Sequence, residues 1–467
     1  MESQTQEDLR AEWAQRDERY LWHAMSGPNP GVVGTTPAAP MMIEKGQGAW
    51  VTDSEGNNYL DGMSGLWCVN VGYGREELAR AAYDQLAKLP YYPLTASHQP
   101  AVELAEKLNE WLGDDYIIYY SNSGSEANEV AFKIARQYHQ QNGEPSRWKF
   151  ISRYRAYHGN SFGAGAATGM SPRKYRYEPL TPGFLHVQPP DRYRCAYCSD
   201  RPACNLECAK EIGRTMRWEM PETIAAVIME PILTGSGVIL PPDGYLEEVA
   251  ATCKRTGALL IIDEVISGFG RTGKKFGYHH HDIKPDIVTM AKGITSAYMP
   301  LSVTAVKREL YETFAGPGKT ETGAAGGYER FRHVNTFGGH PAACAVALRN
   351  LQIMDEEGLV QRSAEMGEKL REMLKNLEEH PNVGQIRNRG LLFGIELVTD
   401  KASRVPLSPD ALTKVAGACK DRGLLVGKGA DTTPGFSNTL TLAPPLVISE
   451  EDLQFLAQAL KDAINSL

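Results

Sequence analysis

The chain has 467 residues, and its 49 basic and 57 acidic residues give a net charge of −8. Apolar residues make up 42% and charged residues 23%, which is typical of a folded globular protein and excludes a disordered or collagen-like chain. The acidic balance argues against nucleic acid or an anionic membrane as the main partner. No apolar segment approaches the roughly 20 residues that a transmembrane helix needs.

The first 30 residues are polar and charged, then rich in proline and glycine, and we expect them to form an N-terminal arm. A secretory signal would need a basic start followed by an apolar stretch, and neither is present. We therefore expect a cytoplasmic protein whose eight cysteines are mostly reduced thiols.

Local patterns predict the elements in chain order. Residues 50–61 favour two short strands around a turn, and residues 100–112 have the apolar spacing of an amphipathic helix. From residue 115, helical patterns alternate with short apolar runs, at 117–120, 225–229, 258–262, 287–290 and 301–305. Such alternation indicates an α/β domain around a mostly parallel sheet.

The pattern changes at about residue 346. Long charged helical segments (346–357, 361–379 and 450–466) then combine with short strands (391–397 and 440–442). We therefore assign residues 71–345 to a large domain. Residues 346–467, together with 31–70, are assigned to a smaller α+β domain.

Two charged residues stand at the ends of buried strands. Asp263 follows the run 258–262, where an unpaired carboxylate would be costly. Lys292 follows the run 287–290, where burial would lower its pKa and make the amine nucleophilic. Taken singly, Asp263 also fits a cap or a structural ion pair, and Lys292 a side chain that reaches solvent.

Together the two residues favour pyridoxal phosphate (PLP), which needs a lysine for its aldehyde and a carboxylate for its pyridine nitrogen. Ser123, Gly124 and Ser125 lie between a predicted strand and a predicted helix, where free backbone N–H groups bind anions. Alone this turn also fits an N-cap without a ligand. We expect an aromatic cover for the pyridine ring near residues 154–159.

Eight spaced motifs make the chain resemble the class III, fold type I, PLP-dependent aminotransferases, the group that contains the ω-transaminases. They are GLWCVN (65–70), SNSGSE (121–126), YHG (157–159), EP (230–231), DE (263–264), KG (292–293), TFGGHP (336–341) and APPL (443–446). The resemblance covers roughly residues 20–465.

The resemblance implies a role for each matching residue. Lys292 would bind the cofactor covalently and act as general acid and base, and Asp263 would pair with the pyridine nitrogen. The cofactor would further be held by Ser123, Gly124 and Ser125 at its phosphate, Tyr157 and Val265 at its ring faces, and Glu230 near Asp263. Thr336 would reach the phosphate in the other subunit of a homodimer or tetramer. The substrate would contact Leu66, Trp67 and Tyr92.

Within this family the chain is most similar to taurine–pyruvate aminotransferases, through residues 298–302, 332–338 and 427–438. The mobile carboxylate-binding arginine of the broader group would lie between Val426 and Asn438, where this chain has none. Lys428 is the only cation there, so we expect it to contact the substrate anion, although a solvated loop residue is the alternative. Arg155 and Arg173 are the other candidate cations.

The implied reaction transfers an amino group from a terminal primary amine or ω-amino acid to a 2-oxo acid such as pyruvate, by a ping-pong mechanism. A PLP decarboxylase or aminomutase on the same fold is an alternative. A nucleotide-binding dehydrogenase would lack its G-x-G-x-x-G motif here, and Lys292 would have no role.

Cys195, Cys198, Cys204 and Cys208 bring four thiols together within fourteen residues, in an expected insertion near 191–210. A structural zinc site is one reading, because four cysteines can bind zinc tetrahedrally. Their spacing is not an attested zinc pattern, so we favour free thiols or a disulfide and expect no metal. For residues 279–281, a histidine run, we favour a solvated loop over a metal site.

Overall fold

The computed structural model describes residues 6–25, 41–199, 201, 203–315, 330–429 and 435–467. Residues 1–5 and 26–30 of the predicted N-terminal arm lie outside the described residues. The strands are β1 (Ile43–Gln47), β2 (Trp50–Asp53), β3 (Asn58–Asp61), β4 (Tyr116–Ser121), β5 (Lys149–Arg153), β6 (Phe184–Val187), β7 (Ile224–Met229), β8 (Leu259–Asp263), β9 (Ile287–Met290), β10 (Ser302–Lys307), β11 (Val383–Asn388), β12 (Phe393–Asp400), β13 (Val405–Pro406), β14 (Leu424–Leu425), β15 (Gly427–Lys428) and β16 (Thr439–Leu442).

The α-helices are α1 (Gln6–Tyr20), α2 (Ser64–Trp67), α3 (Glu76–Lys88), α4 (Gln99–Leu112), α5 (Gly124–Gln141), α6 (Phe162–Ala167), α7 (Glu207–Trp218), α8 (Tyr245–Thr256), α9 (Arg308–Glu312), α10 (Pro341–Glu356), α11 (Leu359–Met373), α12 (Pro409–Asp421) and α13 (Glu450–Ile464). Short 3₁₀ helices lie at Ser171–Arg173, Arg192–Arg194, Pro221–Thr223, Gly277–His280, Lys292–Ile294, Thr313–Ala315 and Lys375–Glu379. Among the described helices, none combines the length and apolar character that crossing a membrane requires.

A seven-stranded sheet forms the centre of the large domain, in the order β4-β10-β9-β8-β7-β5-β6. The strands from β9 to β6 pair in parallel, whereas β10 is antiparallel to both of its neighbours. This arrangement confirms the predicted mostly parallel α/β sheet. The antiparallel direction of β10 could not be predicted, because its apolar run has the same local pattern as those of its parallel neighbours.

Successive residues of the central strands enter two separate cores. In β7, Ala226 and Ile228 pack in one hydrophobic cluster with residues of α5. The alternate residues Val227 and Met229 pack in the other cluster with residues of α8. Since strand side chains alternate between the two faces of a sheet, both faces of this sheet are covered. This explains the unbroken apolar runs in the sequence.

Of two smaller sheets, one joins the N-terminal and C-terminal parts of the chain and the other contains C-terminal strands alone. The hairpin of β2 and β3, predicted from the sequence, belongs to the sheet β1-β2-β3-β14, in which β14 lies parallel to β3. The other sheet has the order β11-β12-β16-β15, with β13 paired to β12. Helix α10 spans the expected boundary at residue 345 and packs on α3 and α4. The domain boundaries stay a prediction.

A buried arginine ties the loop after β8 to both ends of the chain. The guanidinium of Arg271 donates to Asn70 Oδ1 at 2.7 Å and to Ser64 Oγ at 3.1 Å. It also donates to the carbonyl oxygens of Pro444 and Leu391. Burial lowers the pKa of Arg271 to about 10, which still leaves the side chain charged at neutral pH.

We predict that Arg271→Leu lowers the free energy of unfolding by roughly 2–4 kcal/mol, because it leaves several buried acceptors without a donor. The urea midpoint, measured at one protein and one PLP concentration, tests this prediction. Arg389→Leu is the control, since Arg389 is an exposed arginine of the same region. Equal midpoints for the two variants would contradict the proposed role of Arg271.

Candidate active site

The Asp263 carboxylate, at the end of β8, is buried and accepts three hydrogen bonds. Its Oδ2 accepts hydrogen bonds from Asn128 Nδ2 and from His158 Nδ1, both at 2.9 Å. Its Oδ1 accepts the backbone N–H of Val265 at 3.0 Å. The predicted need for a partner is therefore met by three donors, which fix the carboxylate in one orientation.

Asn128 lies on α5 and links three neighbouring elements. Besides Asp263, its amide donates to the carbonyl of His158 at 2.7 Å, and its oxygen accepts from Thr289 Oγ1 of β9 at 2.8 Å. Sequence reasoning missed this residue. A polar residue on the apolar face of a helix, in line with Ala131 and Ala135, was the available signal.

His158 is the second partner that sequence reasoning did not assign, although the YHG motif contains it. Its ring is buried, and Nε2 has no hydrogen-bond partner among the described residues. The residue lines the same cavity as Asp263. A buried polar atom without a partner beside a cavity is a candidate contact for a bound group.

Lys292 follows β9 and directs its amine into the same region. Its backbone φ is +48°, in the left-handed region that is uncommon for a residue other than glycine. Burial lowers the pKa of Lys292, although Cys68, Asp263 and Glu230 oppose this shift. The neutral, nucleophilic amine is therefore more accessible than in a surface lysine.

A cup that suits an anion lies at the N-terminus of α5, a helix of 18 residues. Ser123 caps the helix, with its Oγ accepting the Glu126 N–H at 3.3 Å. A side chain at Gly124 would lie only 3.0 Å from Val265 Cγ1, so glycine allows the close approach of these two segments. Ser125 Oγ donates to Asn160 Oδ1 at 3.0 Å. First-turn N–H groups and the positive end of the helix dipole favour an anion here.

Glu230 connects the loop after β7 to the loop that carries Tyr157. One carboxylate oxygen accepts the Tyr157 N–H, and the other accepts the Thr234 N–H, each at 3.2 Å. Burial raises the pKa of Glu230 above its usual value. The guanidinium of Arg173 lies 5.7 Å from the centre of the Tyr157 ring.

Most of the predicted site residues line one cavity of about 450 Å³. Its lining includes Ser123, Gly124, Ser125, Tyr157, Glu230, Asp263, Val265 and Lys292, and also the unpredicted Cys68 and His158. Trp67 lies beside it, with the Lys292 amine 5.9 Å from its ring centre.

The other predicted residues do not line this cavity. Leu66 and Tyr92 are 62% and 53% exposed. Thr336 is exposed, and its carbonyl oxygen accepts the Tyr91 hydroxyl at 2.7 Å. Lys428 is exposed in β15, with Nζ donating to Thr413 Oγ1 at 3.3 Å. Residues 430–434, in the segment expected to bind the substrate anion, lie outside the described residues.

The cavity fits PLP by size and by chemistry. Its volume is within the usual range for small-molecule sites, about 300–1,000 Å³. The helix terminus suits a phosphate, the fixed Asp263 carboxylate suits a protonated pyridine nitrogen, and the buried amine of Lys292 suits an aldehyde.

Comparisons with known proteins agree with this chemistry. An uncharacterized aminotransferase of Bacillus subtilis is 58% identical over 97% of this chain and 96% of its own length. A taurine–pyruvate aminotransferase of Bilophila wadsworthia is 37% identical over 98% of both chains. The crystal structure of a Bacillus anthracis aminotransferase has 54% identity and a TM-score of 0.92 over the full length of both chains. Because the aminotransferase class-III family model also matches residues 33–464, the chain belongs to the PLP-dependent class III aminotransferases.

Proposed function

We propose that this aminotransferase takes its amino group from a terminal primary amine or ω-amino acid, such as taurine, and delivers it to pyruvate in a ping-pong reaction. The observation that carries the chemistry is the convergence of Lys292, Asp263 and the cup at Ser123–Ser125 on one cavity. The taurine–pyruvate relative supports the choice of substrates. Other ω-amino acids, diamines and neutral amines are the alternative donors.

Each residue of the cavity has a defined task in this proposal. Bound PLP supplies an electron sink that makes the substrate carbon acidic. The neutral amine of Lys292 would accept the proton from that carbon and deliver it to the former aldehyde carbon of the cofactor. The charged Asp263 keeps the pyridine nitrogen protonated, and Asn128 and His158 hold its carboxylate in place. Ser123, Gly124 and Ser125 would hold the phosphate, Tyr157 and Val265 would pack on the ring, and Glu230 supports the Tyr157 loop.

We further propose that the site is completed in a homodimer, to which Thr336 of the second subunit contributes. Support comes from an exposed aromatic region around this residue, where Tyr91 contacts Phe337 edge-on at 5.8 Å between ring centres. Phe337 is 60% exposed. Exposed apolar patches of this kind often mark protein interfaces. Leu66, Trp67 and Tyr92 would then face the substrate between the subunits. We also propose that the enzyme is cytoplasmic.

Asp263→Asn is predicted to reduce turnover on the order of 10³-fold while leaving the fold intact, since the neutral amide cannot hold the pyridine nitrogen protonated. Steady-state kinetics at saturating PLP is the measurement. Asp286→Asn is the matched control. Asp286 directly precedes the neighbouring strand β9, and its carboxylate accepts the backbone N–H of Leu260 in β8 at 2.8 Å. A loss below about tenfold, roughly 1.4 kcal/mol, would show that Asp263 is not the ring partner.

Lys292 is predicted to capture PLP at a rate that rises with pH and levels off below the usual lysine pKa of about 10.4. The sign follows from burial, which lowers the pKa, so the reactive neutral amine is already present at lower pH. Stopped-flow absorbance of apoenzyme mixed with PLP measures this rate. Lys292→Ala should show no covalent capture and no turnover. A rate that keeps rising through pH 10.4 would contradict the lowered pKa.

The proposed substrates are tested by a donor screen with pyruvate, in which alanine formation is measured. Taurine should be the best of taurine, β-alanine, GABA, putrescine and 1-phenylethylamine. A negligible rate with taurine and a high rate with another donor would replace taurine and leave the aminotransferase assignment intact.

The same screen on Lys428→Ala tests the proposed anion contact. KM for taurine and pyruvate should rise about tenfold, equivalent to about 1.4 kcal/mol, because the cation that meets their anionic group is removed. The donor 1-phenylethylamine, which has no anionic group, is the internal control and should be nearly unaffected in the first half-reaction. Equal effects on donors with and without an anionic group would reject Lys428 and direct attention to Arg155 or Arg173.

A further inference from the structure

Four thiols lie together in the segment between β6 and α7, outside the lining of the cofactor cavity. Cys195 and Cys198 follow the 3₁₀ helix Arg192–Arg194, and Cys204 precedes α7, which contains Cys208 in its first turn. Three of these side chains are buried and Cys204 is half-buried, and all four are free thiols. The aminotransferase reaction gives this cluster no role.

The spacing of one thiol pair suits a shared metal ion. Cys198 Sγ and Cys204 Sγ are 3.8 Å apart. In a tetrahedral zinc site with Zn–S bonds of about 2.3 Å, two ligand sulfurs stand about 3.8 Å from each other. A disulfide would require about 2.05 Å. The observed separation therefore matches the edge of a zinc tetrahedron.

Hydrogen bonds hold the loop that carries the thiols and orient one of the sulfurs. The N–H of Tyr197 points to Cys195 Sγ at 3.5 Å, inside the turn that joins Cys195 to Cys198. Hydrogen bonds to a ligand sulfur orient it and stabilise its negative charge. The guanidinium of Arg192 closes the loop by donating to the carbonyls of Cys198 and Arg201.

Zinc binding would change the charge of the cluster, because each thiol that binds the ion releases its proton. Arg192 and Arg201 of the same segment can offset the charge of −2 that four thiolates and one Zn²⁺ leave.

We propose that Cys195, Cys198, Cys204 and Cys208 form a structural Zn²⁺ site, in place of the free thiols or disulfide that the sequence favoured. No group of three or more such ligands is already assembled among the described residues, so zinc must draw Cys195 and Cys208 towards the Cys198–Cys204 pair. Four thiols lose four protons, four Zn–S bonds form, and no oxidant is needed.

The site would hold a segment that supports the rest of the fold. Asp191, at the start of the segment, forms a buried ion pair with Arg155 at 2.5 Å, and Arg194 pairs with Glu396 at 2.5 Å. These contacts connect the insertion to the C-terminal sheet through β12. Zinc is therefore expected to stabilise the chain without entering the reaction.

The test is the metal content of the full-length holoenzyme, produced in zinc-containing medium and purified under reducing conditions without a metal-affinity column. Mass spectrometry of the elements should find about one zinc ion per chain. The double variant Cys198→Ser/Cys204→Ser should lose at least about 90% of it. Cys419→Ser, which alters a buried thiol of α12, is the matched control and should keep its zinc.

Less than about one-tenth of a zinc ion per chain in the purified holoenzyme, or an unchanged zinc content in the double variant, would overturn the proposal. If the double variant does not fold, the wild-type protein still decides the question. A thiol-specific mercurial should release its zinc as the four thiols react, and a strong chelator should lower its Tm. A Cys198–Cys204 disulfide in the non-reduced peptide map, without zinc, would also overturn it.

Discussion

The buried carboxylate of Asp263 is the constraint on which the arrangement of the site depends. A charge with 4% exposure must be satisfied inside the protein, and three donors from separate segments do this. They come from α5, from the loop after β5 and from the turn after β8. Helix α5 and both loops are therefore held at the same edge of the sheet, where the N-terminus of α5 also lies.

The loop that follows Asp263 is fixed by two further buried polar side chains, Glu264 and Arg271. Glu264 accepts the Ser267 hydroxyl at 2.7 Å and the N–H groups of Gly277 and Tyr278 at 2.9 and 2.7 Å. Arg271 then joins this loop to Asn70 and to the C-terminal segment at Pro444. The buried Asp263 carboxylate is thus supported by contacts that extend towards both ends of the chain, which connects the stability of the fold to the geometry of the site.

Parallel topology explains why Asp263 and Lys292 meet. Strands β8 and β9 are neighbours and run in the same direction, so their carboxyl ends lie at one edge of the sheet. Open α/β sheets bind ligands at this edge. The four-thiol segment lies elsewhere and contributes through its ion pairs with Arg155 and Glu396, which gives it a structural task separate from the chemistry.

The sequence by itself determined the local features: the apolar strands, the helix that begins after Ser123, and the charged residues Asp263 and Lys292 at strand ends. These depend on neighbouring residues and on the cost of burying charge, so they can be read along the chain. Only the tertiary structure decided that β10 runs antiparallel and that Asn128 and His158 hold Asp263, across 135 and 105 residues of sequence. Such contacts arise from packing in three dimensions, and no local periodicity encodes the partner of a distant carboxylate.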